Sequence, residues 1–121
     1  MFSHVTVGTN DIERARDFYD AVLATLGTTS FTQGKHFTGY GGRQSAQLWV
    51  LSPFNRDPAT VGNGAHVAFL APDRASVDAF HAAAMAAGGM DEGAPGLRPQ
   101  YHESYYGAYV RDPDGNKLQA V

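Results

Sequence analysis

The hydrophobic positions along this chain follow two periods, and the two periods succeed one another in the same order twice. Residues 2–7 alternate and predict a half-buried strand, which Gly8-Thr9-Asn10-Asp11 breaks. Over residues 12–26 the apolar side chains Ile12, Ala15, Tyr19, Val22, Leu23 and Leu26 recur at helical spacing. Asn10 or Asp11 supplies the N-cap, Glu13 sits in the first turn, and Gly27 is the stop. Residues 28–31, 35–40 and 46–51 predict three short strands, divided by Gly34 and by Gly41-Gly42-Arg43-Gln44-Ser45. Residues 52–60 form a loop, because Pro53 and Pro58 exclude a central strand.

The second half repeats the first. After the turn pair Asn63-Gly64, residues 65–70 predict a strand with His66 and Ala68 on one side and Val67 and Phe69 on the other. Asp73 caps a helix over residues 74–87, whose inner face holds Val77, Phe80, Ala84 and Met85 and which stops at Gly88-Gly89. Residues 90–99 are polar and glycine-rich, with a short strand near their start. Residues 105–111 predict a strand, Asp112-Pro113-Asp114-Gly115-Asn116 a turn, and residues 117–121 a closing strand. An offset of 62 carries His4 to His66, Val5 to Val67, Asp11 to Asp73, Phe18 to Phe80, Ala21 to Ala83 and Gly27 to Gly89. A strand residue, a cap, two helix-face residues and a stop thus share one register. The chain is therefore read as one domain, residues 1–121, of two βαβββ modules (about 1–57 and about 63–121), in the α+β class.

Composition narrows the function. At 121 residues, 43% hydrophobic and 17% charged, the chain is of the size and make-up of one globular domain. A net charge of −3 without a basic block argues against a nucleic-acid partner. No apolar run approaches the roughly 18 residues of a membrane span, and Met1-Phe2-Ser3-His4 is not read as a signal peptide. The absence of cysteine excludes disulfides and thiolate metal ligands. A cytoplasmic location is the expectation.

The segments His4-Val5-Thr6-Val7 through Asp11 to Phe18-Tyr19, Gly64-Ala65-His66-Val67-Ala68-Phe69, and Val110 through the Asp112–Asn116 turn to Val121 together resemble the vicinal oxygen chelate superfamily. That superfamily includes glyoxalase I, extradiol dioxygenases and the bleomycin- and fosfomycin-resistance proteins. The resemblance covers essentially the whole chain. It implies curved mixed sheets around a central cup with the helices outside, and a homodimer, the cup lying within one chain or across two. It implies metal ligands on the first and last strands of each module: His4 and His66 on the first strands, Gln119 and Gln47 on the last. The ion would be zinc, nickel, manganese or iron.

Two imidazoles and two amides make a neutral ligand set, weaker for a dication than one with carboxylates. Where the resemblance implies a glutamate that moves a carbon-bound proton, this chain has Gln119, which accepts no proton at neutral pH. Glu103 is the nearest replacement base in the sequence. A second unusual stretch runs from Leu97 to Tyr106, where Arg98, Tyr101, His102, Tyr105 and Tyr106 read as a lip over the cup that binds a small organic molecule. Trp49 and Tyr40 are further lining candidates, and Arg43, Arg98 and Arg111 could each meet an anionic group. His36 and His81 are read as structural. The Asp112–Asn116 segment lacks the spacing of a calcium loop and is a turn.

Two functions follow. One is a glyoxalase-like metalloprotein acting on a small oxygen-rich substrate, in the manner of a lactoylglutathione lyase. The other is a metal-free protein that sequesters a small aromatic or peptide-like compound, as the drug-resistance members do. An extradiol dioxygenase ranks third, because Gln119 removes its carboxylate.

Overall fold

In the computed structural model, which describes residues 1–121, β1 (His4–Gly8) leads into α1 (Ile12–Ala24). Asp11 is the N-cap, its carboxylate accepting the Arg14 amide at 3.0 Å. Asn10 instead ties down the long loop: its side-chain oxygen accepts the Ala59 amide at 2.7 Å, and its Nδ2 donates to the Ala59 carbonyl. Strands β2 (Ser30–Gln33), β3 (Phe37–Tyr40) and β4 (Gln47–Leu51) complete the first module. The second contains β5 (Val67–Phe69), α2 (Arg74–Ala86), β6 (Met90–Leu97), β7 (Tyr106–Arg111) and β8 (Lys117–Ala120). The two helices begin and end at the same 62-residue offset. No helix is long and apolar enough to cross a membrane.

Each module makes one mixed four-stranded sheet, ordered β1-β4-β3-β2 and β5-β8-β7-β6. In both, the first strand runs parallel to the last, as a crossover helix requires, and the other pairings are antiparallel. The two sheets do not close into a barrel. The fold is therefore the paired βαβββ arrangement expected from the repeat. Two local differences stand out. His66 immediately precedes β5 rather than lying inside it. Strand β6 spans eight residues, more than the short strand expected, and pairs with β7 across two register shifts. Its pairing is made by backbone, and Asp-Glu-Gly-Ala-Pro-Gly has no period-two apolar signal to reveal it.

Each sheet has one face covered by helix and one left open. Val7, Leu48 and Val50 from the first sheet and Ala108, Val110, Leu118 and Ala120 from the second join Phe18, Tyr19, Val22, Leu23, Val77 and Phe80 of the helices in a single core. The turn after β7 latches the modules together. Thr9 Oγ1 donates to Asp114 at 2.6 Å, the Asn10 amide to Asp114 at 2.9 Å, and Asn116 Nδ2 to the Gly8 carbonyl at 2.9 Å. Burying both helices on one side fixes what the opposite faces are for: they remain available to something else.

Candidate ligand-binding site

Period-two alternation assigns the open faces. On the first sheet they carry His4 and Thr6 from β1 and Gln47, Trp49 and Leu51 from β4, since Val7, Leu48 and Val50 face the core. On the second they carry Gly107, Tyr109 and Arg111 from β7 and Lys117 and Gln119 from β8, since Ala108, Val110, Leu118 and Ala120 face the core. His4, Thr6, His66 and Ala68 are all exposed.

The strand register decides which residues are equivalent. Thr6 lies opposite Trp49, and Ala68 lies opposite Gln119. Thr6 and Ala68 are themselves related by the 62-residue offset, so Trp49 is the module-one counterpart of Gln119. Gln47 lies opposite His4, one pleat away.

The first open face centres on an aromatic cluster. Phe31 and Phe37 pack on Trp49 with ring centroids 5.7 and 5.9 Å away. Gln47 serves this cluster: its Oε1 accepts Trp49 Nε1 at 3.0 Å and its Nε2 donates to the Gly42 carbonyl at 3.1 Å. His4 is exposed beside it, with Nδ1 2.8 Å from the Ser3 hydroxyl. Tyr40 does not reach this face; it is buried in the core, its hydroxyl donating to Asp20 at 2.8 Å.

The second open face is polar and aromatic. Gln119 is buried at its centre, only 2% exposed, and its Nε2 donates to the Tyr105 hydroxyl at 2.7 Å. Tyr105 is flanked by Tyr101 and His102, with centroids 4.9 and 5.2 Å from its ring. Tyr109, the cross-strand partner of Gln119, meets His66 edge-on at 6.0 Å. The Lys117 ammonium and the Arg98 guanidinium lie 5.1 and 5.9 Å from the Tyr109 ring centre. Desolvation, with the Tyr101 hydroxyl and its charge next, pushes the Tyr109 hydroxyl up to about 12, so at neutral pH it is a proton donor.

Arg98, Tyr101, His102 and Tyr105 thus gather at one end of this sheet, whereas Tyr106 turns to the helix side. Its hydroxyl donates to Asp78 at 2.6 Å, and Arg74 lies 5.1 Å from its ring centre. Glu103 is exposed on the turn. Arg43 is exposed in the β3–β4 loop, and Arg111 is paired with Glu92 at 2.7 Å. His81 holds Asp91 at 2.9 Å and is structural. Tyr109 and Lys117 are the residues that sequence reasoning missed. Alternation could have found Tyr109, because Tyr105, Gly107 and Tyr109 must share a face that Tyr106 and Ala108 do not.

No three His, Cys, Asp or Glu side chains gather in the chain as a metal-holding group. The Gln47 Oε1, its one possible ligand atom, is taken by Trp49 Nε1, and the position equivalent to Gln119 is a tryptophan, while Gln119 engages only its Nε2, with Tyr105. Within the chain, these residues do not fit a tight dication site. The 280 Å³ cleft between β1 and β5 is lined by Thr6, Val61, His66, Asn116 and Lys117, and not by His4.

Comparison with known proteins agrees with the fold. A glyoxalase/bleomycin-resistance protein from Albidiferax ferrireducens T118 is 45% identical over 99% of this chain and 96% of its own, with a TM-score of 0.91. A lactoylglutathione lyase from Agrobacterium tumefaciens (22% identity, 99% and 91% covered, TM-score 0.64) shares the fold. So does a glyoxalase/bleomycin-resistance/dioxygenase family enzyme from Burkholderia phytofirmans PsJN (19%, 98% and 94%, TM-score 0.73). A search of the curated proteins finds no match. The model of the Glyoxalase/Bleomycin resistance protein/Dioxygenase superfamily matches residues 1–120, and the chain belongs to that superfamily.

Proposed function

We propose that this protein binds a small aromatic or oxygen-rich molecule on the open face of its second sheet without a catalytic metal. The observation that carries this reading is Gln119, an amide where the resemblance implies a carboxylate, buried and donating to Tyr105 at 2.7 Å. A group so placed orients a ligand and positions a tyrosine, but it abstracts no proton. The Tyr101, Tyr105 and Tyr109 rings supply apolar area, and their hydroxyls supply the few directed polar groups that small-molecule sites use. The aromatic cluster of the first face, with Phe31 exposed and Phe37 and Trp49 half-buried in a single chain, supports a homodimer in which it forms the opposite wall.

The matched, exposed histidines favour one rival, a glyoxalase-like metalloprotein in which His4 and His66 hold zinc, nickel, manganese or iron for lyase or isomerase chemistry. Metal analysis of chelator-free protein and titration with each ion separate the two. The expected result is no ion bound tighter than about micromolar, with thermal stabilisation by small aromatic compounds that EDTA leaves unchanged. Stoichiometric binding that disappears in a His4→Ala, His66→Ala variant would overturn the metal-free reading.

A further inference from the structure

The second open face carries a charge that the chain as a whole does not. The protein's net charge is −3, yet Arg98, Lys117 and Arg111 stand on or beside this face, where the carboxylate of Glu92 is also found. Glu92 is taken up by Arg111, whose Nε donates to it at 2.7 Å, and Arg111 also donates to the Gly115 carbonyl. Lys117 lies close enough to help hold the Glu92 carboxyl below its usual range, but makes no ion pair with it. Arg98 has no carboxylate partner; its guanidinium donates to the backbone carbonyls of Ala94 at 2.8 Å and Leu97 at 3.4 Å.

The position of Arg98 is built into the strand beneath it. A Cβ on Gly93 would come within 3.2 Å of one guanidinium nitrogen, and a Cβ on Gly96 within 3.3 Å of the other. Both glycines leave the room in which the guanidinium lies against β6, next to Tyr109. Gly93 also has φ +155°, which a side chain would resist. The charged groups beside the Tyr109 ring are then both cations, the guanidinium and the Lys117 ammonium, and the Tyr109 hydroxyl, next to that of Tyr101, is protonated at neutral pH. A surface of donors flanked by aromatic faces is complementary to one kind of ligand.

We propose that Arg98, Lys117 and the Tyr109 hydroxyl form an oxyanion subsite, and that the ligand is a planar organic anion such as an aromatic carboxylate. This rests on the second open face being the binding face, and it adds the ligand's charge class. Arg98 takes the anion through its fork of N–H groups, Lys117 as a point charge, and the planar body lies against Tyr101 and Tyr105.

The probes are benzoate and its neutral isostere benzamide, titrated into the intact protein and followed through the backbone amide resonances of Gly93, Gly107, Lys117 and Gln119. Benzoate is expected to shift these resonances and to bind at least about tenfold more tightly than benzamide. In an Arg98→Gln, Lys117→Gln variant that preference should fall to about threefold or less, and added salt should weaken it in the wild type. The same spectra report whether the variant is folded, and Lys117→Gln alone, which breaks no hydrogen bond, should show an intermediate loss. Equal binding of the two probes, or a preference that survives the double variant, overturns the oxyanion subsite while leaving the binding face intact. If neither probe shifts these resonances, the oxyanion subsite fails together with the binding-face reading.

Discussion

Tyr19 of α1 donates a 2.6 Å hydrogen bond to the Asp112 carboxylate at the end of β7, and both residues are buried. Asp112 accepts three further bonds from the backbone amides of Asp114 and Asn116 and from Asn116 Nδ2. One carboxylate therefore shapes the turn of the second module and anchors the helix of the first.

Tyr19→Phe is expected to destabilise the protein by about 1–2 kcal/mol, the cost of one lost hydrogen bond to a buried charge that keeps other partners. Burial, then the Asp112 charge, raises the Tyr19 hydroxyl well above its ordinary value, and burial and Asp20 raise Tyr40 in the same direction. Their stabilisation is complete below the unfolded tyrosine value of about 10 and lost as pH rises beyond it, because the unfolded chain then holds fewer protons. Each such tyrosine contributes a slope of at most about 1.4 kcal/mol per pH unit. Urea unfolding at pH 8 and at about pH 11 checks the sign. An alkaline loss of the same size in wild type and Tyr19→Phe would count against Tyr19 as a source.

Gly27 and Gly89 are equivalent by the 62-residue offset but are glycine for different reasons. Gly27 has φ +74° and open space around it, so Gly27→Ala should cost about 1 kcal/mol of left-handed strain. A Cβ on Gly89 would come within 2.8 Å of the Ala84 and Arg111 carbonyls and 2.9 Å of the Phe18 ring. Gly89→Ala should cost about 3 kcal/mol or more, since backbone cannot step aside. The left-handed stop of α2 is Gly88 instead, at φ +91°. Comparable denaturation midpoints for the two variants would contradict this division.

Tyr105→Phe removes the acceptor of Gln119 Nε2 and leaves a buried amide without its partner, at an expected cost of about 1–3 kcal/mol. Adding Gln119→Leu should recover part of that loss, because an apolar side chain needs no partner there. A double-mutant cycle by chemical denaturation measures the coupling. Simple additivity of the two losses would deny the hydrogen bond an energetic role.

The register makes a prediction about engineered metal binding. Carboxylates at equivalent strand positions require Trp49→Glu with Gln119→Glu, not Gln47→Glu with Gln119→Glu. Nickel titration by calorimetry should show at least about tenfold tighter binding in the first pair, provided circular dichroism shows it folded. Greater affinity in the second pair would refute the equivalence of Trp49 and Gln119.

The duplication, both helices with their caps, and the turn at Asp112–Asn116 were legible from residues alone. Each depends on contacts within a few positions of the chain, or on a pattern the chain states twice. The helix starts at Ile12 and Arg74 were legible because each helix carries its own capping aspartate, whereas the helices end at Ala24 and Ala86, one or two residues before the expected stops. The last strands escaped the 62-residue offset. The sequence offers Gln47 as the counterpart of Gln119, a polar residue near the right place, while pairing puts Trp49 there, because β4 and β8 take their register from neighbours distant in sequence.

Sequence by itself determined that there are two βαβββ modules, that His4 and His66 are counterparts, and that a glutamine stands at position 119. Tertiary structure alone decided what surrounds that glutamine. Tyr105, Tyr109, Lys117 and Arg98 come together through strand pairing across the second sheet, and Arg98 lies beside Tyr109 because Gly93 and Gly96 leave it room. Local sequence encodes periodicity and caps, which are short-range. Convergence of side chains on one face depends on backbone hydrogen bonds between strands, and those bonds carry no side-chain signature of their partner.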